Sequence, residues 1–325
     1  MKRSTDLAQA IDLAADKARY DECAKRLLTY SSIIAWILKS CTEEFSQYSV
    51  SFIADHCLKD TPEISQKAVH PDQPDRNLDG DRRIDGLNTE ANSIKEQTVY
   101  YDIRFRAYIP DVEEPVQLII NLEIQLDDTP GYPLVTRGLY YCARMISEQY
   151  GTIFADEHYE DIQKVYSVWI CPDPAKKRKN GIFKYHMVEE PVCGTSCTQQ
   201  KSYDLMDVVI LNLGDADQKS DQEILNLLNV LFSADIPPEE KKERLSNNFH
   251  IAMTEELESE VRFMCNLSQA LVEQGVQQGI QQGIQQGEDM LARLIQKLFS
   301  LGRAEDVRRV AEDQEYRNTL MKELL

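Results

Sequence analysis

The sequence predicts an α/β fold in which a core of a helix, a mixed β-sheet and a crossover helix is followed by an all-helical C-terminal region. Three observations predict it. Apolar residues alternate along two segments between residues 98 and 125, as they do in paired strands. A helical pattern at 131–151 followed by a β-rich run at 162–171 indicates a crossover connection. Beyond about Ser220 the pattern is helical to the end.

The composition is that of a globular protein. With 325 residues, 42% of them hydrophobic, the chain can bury one large core or two modest ones. No segment has the apolar length of a membrane span or a signal peptide, so we expect a cytoplasmic protein with reduced cysteines. The net charge of −19 argues against coating of nucleic acid through bulk positive charge. It does not exclude a nuclease, because the acids that bind a metal ion contribute negative charge themselves.

Two helices are predicted before the sheet. Residues 5–30 form a polar helix, so 1–30 is expected to be an N-terminal helical segment. Residues 31–48 form a second helix that opens a core predicted to span 31–215. Its apolar face consists of Ile34, Ile37, Leu38, Cys41 and Phe45, with Glu44 at the border. Within the core, residues 60–83 are rich in Asp, Pro, Gln and Asn and are predicted to be a loop insertion.

A β-hairpin is predicted over residues 98–125, with a short strand before it near residues 84–89. Two prolines bracket a four-residue loop, DVEE, and symmetric pairing about this loop joins residues whose numbers sum to 225. Asp102 then lies directly opposite Glu123. The alternation places Asp102 with Tyr100, Arg104 and Arg106, on the face opposite to Val99, Tyr101, Ile103, Phe105, Ala107 and Ile109.

Two carboxylates that face each other across a strand pair destabilise the sheet unless their charge is compensated. Directly opposed side chains have Cβ atoms about 5 Å apart. A divalent cation such as Mg²⁺ is the obvious compensation, since hard cations take carboxylate oxygens as ligands. In the second arm Glu123 shares a face with Gln125, opposite to Leu118, Ile120, Leu122 and Ile124.

After the hairpin, residues 131–151 are predicted to be a helix that ends at Gly151, and 162–171 to be a buried strand. The runs 183–188 and 205–213 are expected to extend the sheet. Residues 216–325 are predicted to be a helical region.

A Gln-Gln-Gly repeat occupies residues 273–288 of this helical region. Val276, Ile280 and Ile284 recur at every fourth position, and so do four glycines. Each glycine costs a helix roughly 1 kcal/mol relative to alanine. Two interpretations follow: a partner helix that packs against the glycines, or a flexible linker before the last helices at 289–324. We favour the partner helix, and therefore expect a homo-oligomer.

These segments together resemble the PD-(D/E)XK nuclease superfamily. More closely, YYDIRF, INLEIQ, RGLYY, RFMCN and the Gln-Gln-Gly repeat are similar to those of the PD-(D/E)XK nuclease family transposases, which are similar to the recombination-promoting nucleases of bacteria. The similarity covers roughly residues 30–300. It implies a restriction-endonuclease-like core and metal-dependent cleavage of DNA phosphodiester bonds, in the setting of mobile elements or DNA recombination.

The resemblance also implies the residues of the site. Asp102 and Glu123 are expected to hold Mg²⁺, or Mn²⁺ in its place, with the carbonyl of Ile124 as a further ligand. The cation then polarises the phosphate and lowers the pKa of a bound water. Gln125 takes the motif position that is usually lysine, and its amide can orient a water without bringing positive charge. Glu44 matches the acidic position on the first helix of the superfamily, and an ordinary charge at a helix end is an equal alternative.

Basic residues at two places are candidates for contact with DNA phosphates. Arg137 and Arg144 lie at helical spacing with two tyrosines, and their simpler interpretation is half-buried packing with the guanidinium groups in solvent. A basic tract follows the predicted strand 162–171 and is expected in an exposed loop, either merely solvated or in contact with phosphates. Its candidate residues are Lys176, Lys177 and Arg178.

Other chemistry has weaker support in the sequence. Cys193 and Cys197 suggest a zinc site, but there is no second cysteine pair and only His186 is nearby, so free thiols are favoured. The five histidines show no metal-ligand spacing. The absence of a phosphate-binding loop, a dinucleotide fingerprint and a nucleophile elbow argues against NTPases, dehydrogenases and serine hydrolases.

Two functions of different classes are therefore predicted. The first is a Mg²⁺-dependent DNA endonuclease. The alternative is a catalytically inactive nuclease-fold binding module that oligomerises through its C-terminal helices. The acidic composition and Gln125 favour the alternative modestly.

Overall fold

The computed structural model describes residues 6–58, 63–64, 90–93, 96–109, 117–126 and 130–325. The helices within these residues are α1 Asp6–Leu27, α2 Ser31–Cys41, α3 Val50–His56, α4 Leu134–Ser147, α5 Glu223–Phe232, α6 Pro238–Phe249, α7 Glu255–Ser300, α8 Ala304–Glu312 and α9 Gln314–Leu324. The strands are β1 Glu63–Ile64, β2 Glu90–Ser93, β3 Glu96–Tyr100, β4 Ile103–Tyr108, β5 Gln117–Ile124, β6 Lys164–Cys171, β7 Gly181–Tyr185 and β8 Met206–Asn212. None of the described helices is long and apolar enough to cross a membrane.

The strands form a mixed sheet with the order β1-β4-β5-β6-β8-β7. Its centre is parallel, since β5, β6 and β8 run in the same direction, while β4 and β7 are antiparallel to their neighbours. The predicted strands at 162–171, 183–188 and 205–213 are confirmed as β6, β7 and β8. The predicted α/β core followed by helices is thereby confirmed.

The crossover helix α4 connects β5 to β6 and packs on one face of the sheet. The cluster beneath it includes Tyr101, Ile119, Tyr141, Cys142, Met145, Val165, Trp169 and Val208. The opposite face buries Ile120, Leu122, Tyr166 and Val168. The central strands are therefore buried on both faces, which explains why β6 and β8 read as nearly continuous runs of β-branched and aromatic residues.

The predicted hairpin register is confirmed, but its first arm is not one strand. Ile103 pairs with Leu122, and the register continues unchanged to Tyr108 and Gln117. The arm breaks between β3 and β4, and β3 pairs instead with β2 in a separate two-stranded sheet. Beyond the break, Tyr101 joins the cluster beneath α4 and not the face of Ile103. The hairpin loop, the predicted strand near 84–89 and, apart from β1, the insertion 60–83 lie outside the described residues.

Two predicted helices are shorter in the structure. The helix expected at 31–48 ends at Cys41, because Thr42 is extended and its hydroxyl donates a hydrogen bond to the Leu38 carbonyl at 2.8 Å. The helix expected at 131–151 is α4, which begins after Pro133 and ends at Ser147. Gly151 lies in the turn that follows, with a φ of +78° that glycine adopts without strain.

The chain divides into two compact units, Met1–Ser268 and Gln269–Leu325. The first contains the sheet with α1 to α6. The second has its own small core, formed by Leu294, Leu298, Val310 and Leu320. The Gln-Gln-Gly repeat is helical and belongs to α7, and more than half of each of its apolar side chains Val276, Ile280 and Ile284 is exposed.

Gly138 lets α4 lie close to the sheet, and a methyl group there is expected to destabilise the protein. An added Cβ would lie 2.5 Å from Val208 Cγ1 and 3.0 Å from Trp169 Nε1. We expect Gly138→Ala to lower the free energy of unfolding by about 1–3 kcal/mol, despite a gain of about 1 kcal/mol in helix propensity. Urea denaturation measures the change.

The matched control is Thr136→Ala, which changes an exposed residue of the same helix α4 to a better helix former. This variant is expected to leave the unfolding midpoint unchanged or to raise it. Equal effects of the two substitutions would contradict the close packing at Gly138.

Candidate functional site

The carboxylates of Asp102 and Glu123 each accept a backbone hydrogen bond from the opposite arm, at the point where the first arm breaks. The backbone N–H of Asp102 donates to Glu123 Oε1 at 2.9 Å. The N–H of Ile124 donates to Asp102 Oδ2 at 3.1 Å. The two carboxylates thus take the places of backbone carbonyls as acceptors, which explains why regular pairing stops at Ile103. The side chains predicted to oppose each other do so.

The Glu123 carboxylate is buried. Its side chain is 3% exposed. Burial raises its pKa well above the ordinary value, and the nearby Asp102 carboxylate raises it further. The hydrogen bond from Asp102 and the positive charges of Arg137 and Lys25 act in the opposite direction. A cation at this position would favour the ionised form of Glu123.

Lys25 of α1 brings a positive charge directly onto Asp102. Its Nζ lies 2.8 Å from Asp102 Oδ1 and 2.6 Å from Asp21 Oδ2, so the ammonium bridges two acids from different elements. Although burial alone would lower it, the pKa of Lys25 is raised by the Asp102 and Asp21 carboxylates. Lys25 is therefore held in its charged form at the site.

Arg137 of α4 approaches the pair from the other side. Its Nη2 lies 3.8 Å from Glu123 Oε2, and its Nη1 donates to Gln125 Oε1 at 3.4 Å. The guanidinium also donates to the Tyr141 hydroxyl at 2.7 Å and lies 5.0 Å from the ring centroid of Trp169. These contacts fix the guanidinium between the end of β5 and the cluster beneath α4, so its charge faces Glu123 and Gln125.

The structure does not bring Glu44 to this pair. Glu44 lies in the turn after α2, where Tyr166 donates to its Oε2 at 2.7 Å and Lys164 lies 3.6 Å away. Lys164 is level with Leu118 in the sheet, five residues before Glu123. At about 3.3 Å per residue this separation is about 16 Å along the strand. The acid that α1 supplies beside Asp102 is Asp21.

The residues predicted to contact DNA phosphates differ in their exposure to solvent. Arg144 is buried on α4, so its guanidinium does not face solvent. Lys176 and Lys177 are exposed, and Arg178 is half-buried, in a short 3-10 helix that follows the end of β6. Because β5 and β6 are parallel and adjacent, this basic tract leaves the sheet at the same edge as Glu123.

Sequence reasoning missed Lys25 and Asp21. Both were placed in a polar N-terminal helix, because their spacing of four residues is ordinary for an exposed ion pair. Lys25 contacts Asp102, which is far away in the sequence, and no local sequence pattern predicts such a contact. One signal was available in this helix. Its apolar residues Cys23, Ala24 and Leu27 recur at helical spacing, which indicates that one face is buried.

The donor set at the pair suits a hard divalent cation. Asp102 and Glu123 present carboxylate oxygens side by side, which is the chemistry that Mg²⁺ and Mn²⁺ prefer. Within the described residues, the basic group that lies nearest to the buried Glu123 carboxylate is Arg137, whose Nη2 is 3.8 Å from Oε2. Cys193 and Cys197 are exposed free thiols and belong to no group of potential metal ligands within the described residues.

Comparison with known proteins agrees with this arrangement. The family model described as "PD-(D/E)XK nuclease family transposase" matches residues 88–264, which is more than half of the chain and includes both carboxylates. Searches of curated proteins and of solved structures each found no match to the chain.

Removal of the charge on Glu123 is expected to stabilise the protein in the absence of metal ions. Glu123→Gln keeps an oxygen that accepts from the Asp102 N–H and relieves the opposition of two like charges. We expect the free energy of unfolding, measured with a chelator present, to rise by about 0.5–2 kcal/mol.

The control is Glu160→Gln, because Glu160 is exposed in a surface loop and its carboxylate lies beside His158, away from the sheet. It should leave stability unchanged within experimental error. A loss of stability in Glu123→Gln would show that Asp102 and Glu123 do not repel each other in the folded protein.

Proposed function

The chain belongs to the PD-(D/E)XK nuclease family transposases, and from this membership we propose that it is an endonuclease that hydrolyses DNA phosphodiester bonds with the help of Mg²⁺ or Mn²⁺. The family supports a nuclease-like role. The single observation that carries the finer proposal is the pair of hydrogen bonds from the Asp102 N–H to Glu123 and from the Ile124 N–H to Asp102, which holds two carboxylates near each other at the end of β5.

Asp102 and Glu123 would hold the cation, with the carbonyl of Ile124 as the proposed further ligand. When bound, the ion supplies Lewis acidity toward a phosphate oxygen and makes water more acidic. The two backbone hydrogen bonds fix both carboxylates before any ligand binds. Preorganised ligands of this kind lower the cost of rearrangement during the reaction.

Lys25 and Arg137 supply the fixed positive charge that Gln125 lacks. Hydrolysis places additional negative charge on the phosphate oxygens as water attacks and the bond to the leaving oxygen breaks. Arg137 is aimed at the end of β5 by Tyr141 and Gln125. We infer that Gln125 acts by accepting the hydrogen bond that positions Arg137.

The basic tract supports a path for the DNA backbone. Lys176, Lys177 and Arg178 follow β6 at the edge of the sheet that carries Glu123, and the two lysines are exposed. Local positive charge of this kind binds phosphates although the whole chain carries a net charge of −19. The proposed setting, bacterial mobile elements or DNA recombination, rests on the family description.

Loss of Asp102 should abolish cleavage. We expect Asp102→Ala to remove Mg²⁺-dependent nicking of supercoiled plasmid, a loss of at least about a hundredfold, because one of two charged ligands disappears. Gel electrophoresis of plasmid incubated with Mg²⁺, Mn²⁺ or chelator measures it, and circular dichroism checks that the variant is folded.

Asp217→Ala is the matched control, since Asp217 is an exposed acid in a loop. It should cut at the wild-type rate. A folded Asp102→Ala variant that still nicks DNA would place the chemistry elsewhere. A wild-type protein that does not cut DNA with either metal ion would favour the alternative, an inactive binding module.

Gln125→Lys tests the inferred role of Gln125. This substitution installs the residue usual at this motif position, yet we expect it to lower the cleavage rate by about tenfold or more. In the wild type, Arg137 Nη1 donates to Gln125 Oε1 at 3.4 Å. The substitution removes this acceptor, which positions the guanidinium, and places a positively charged ammonium beside Arg137.

Gln125→Glu is the informative companion, because it retains an acceptor for Arg137. It should keep more activity than Gln125→Lys in the plasmid assay. Higher activity of Gln125→Lys than of the wild type would show that the site lacks a lysine and does not depend on Arg137.

We also propose that the chain self-associates through the Gln-Gln-Gly repeat. Val276, Ile280 and Ile284 are each between 57% and 58% exposed on α7. An added Cβ at Gly279, Gly283 or Gly287 meets no atom within 4 Å. An apolar stripe beside small residues suits close packing of a second helix, and a second copy of this chain supplies the same pattern.

A further inference from the structure

A second group of charged side chains lies where β6 and β8 begin, on the face of the sheet opposite to α4. We call this group the lysine–carboxylate network, and it consists of Glu43, Glu44, Lys164, Lys184, Asp204 and Asp207. The two lysines connect the four acids through nitrogen–oxygen distances of 2.6–3.6 Å. The proposed nuclease site uses none of these residues.

The two aspartates of the network are buried and incompletely satisfied. The Asp204 side chain is 3% exposed and the Asp207 side chain is 0% exposed. Oδ1 of each accepts no hydrogen bond from the residues that the structure describes. A buried carboxylate oxygen without a partner is costly, so the two orphaned oxygens point to a missing positively charged or donating ligand.

The charges of the network are also unbalanced. Its four carboxylates face two ammonium groups, which leaves a net charge of −2 when the neighbouring histidine is neutral. We call the buried Asp204 and Asp207 the inner acids and Glu43 and Glu44 the outer acids; Lys164 contacts both inner acids and Glu44, and Lys184 contacts Asp207 and Glu43. Lys184 lies 2.9 Å from Asp207 and 2.6 Å from Glu43, and Lys164 lies 2.8 Å from Asp204. Since Glu43 and Glu44 can retain the lysines, the inner aspartates can turn to another cation.

His186 supplies a third ligand of the right kind. Its Nδ1 lies 3.8 Å from the orphaned Oδ1 of Asp204, too far for a hydrogen bond. One ligand atom from each of His186, Asp204 and Asp207 lies within 4.8 Å of the other two. Two ligands of a tetrahedral zinc ion are about 3.3 Å apart, so small side-chain movements close the site.

We propose that His186, Asp204 and Asp207 bind a divalent transition-metal ion, with Zn²⁺ as the occupant. An imidazole beside two carboxylates favours Zn²⁺ over Mg²⁺, which prefers oxygen ligands alone. A divalent ion neutralises the net charge of the network. It also gives both orphaned oxygens a partner.

A cavity lies beside one of the three proposed ligands, Asp204. This cavity of about 990 Å³ opens beside the network and is lined by Glu43, Glu44, Lys164 and Asp204, among others. Its walls are therefore partly anionic, which raises the local concentration of cations. No local sequence pattern predicts this site, because His186 is separated from the two aspartates by a long exposed loop and matches no metal-ligand spacing.

Zinc titration of a His186 variant tests the proposal. The background carries Cys193→Ser, Cys197→Ser and Asp102→Asn, so that neither the exposed thiols nor the nuclease site contributes. Isothermal titration with ZnCl₂ should show one ion bound per chain in this background. His186→Asn should weaken binding by more than about tenfold, since even loss of a residue that only supports a ligand costs 10–100-fold.

His158→Asn is the matched control, because His158 is exposed and its imidazole lies beside Glu160, outside the network. It should bind Zn²⁺ as tightly as the background, and Zn²⁺ should raise the thermal unfolding midpoint of both. Equal zinc affinity of His186→Asn and His158→Asn overturns the proposal. So does a background protein that binds no Zn²⁺ while it is folded by circular dichroism.

Discussion

The two hydrogen bonds from backbone N–H groups to the carboxylates of Asp102 and Glu123 are the constraint on which the proposed site depends. Each carboxylate accepts the N–H of the opposite strand, so regular strand pairing cannot continue past Ile103. The same bonds hold two like charges close together, one of them buried. Lys25 and Arg137 then have a physical reason to converge there, because each reduces that repulsion from a different helix.

The architecture of the sheet limits where charged side chains can lie. Its central strands are buried on both faces, so charged residues are tolerated chiefly where the strands begin or end. Glu123 is next to the last residue of β5, and Lys164 is the first residue of β6. The two charged clusters consequently occupy opposite ends and opposite faces of the same sheet. Each combines buried carboxylates with cations from neighbouring elements.

The hairpin register could be predicted because it depends on local information. Alternation and loop length fix which residues face each other, so the pairing of Ile103 with Leu122 followed from the sequence. The regular register ends there, and Asp102 contacts Glu123 through a hydrogen bond from its N–H. Contacts between distant segments could not be predicted in this way. Lys25 reaches Asp102 from α1, and Glu44 turns away to Tyr166 because α2 ends at Cys41. Helical spacing identifies a buried face but not the strand on which it packs.

The charge balance explains how glutamine at position 125 is compatible with a metal site. Asp21, Asp102 and an ionised Glu123 carry three negative charges, and Lys25 and Arg137 carry two positive charges. The remaining charge of −1 attracts a divalent cation, and the occupied site is then positive toward a phosphate. A lysine in place of Gln125 would cancel that remaining charge and weaken the attraction for the cation. Because Arg137 already faces the end of β5, a neutral residue that fixes its guanidinium meets both requirements at once.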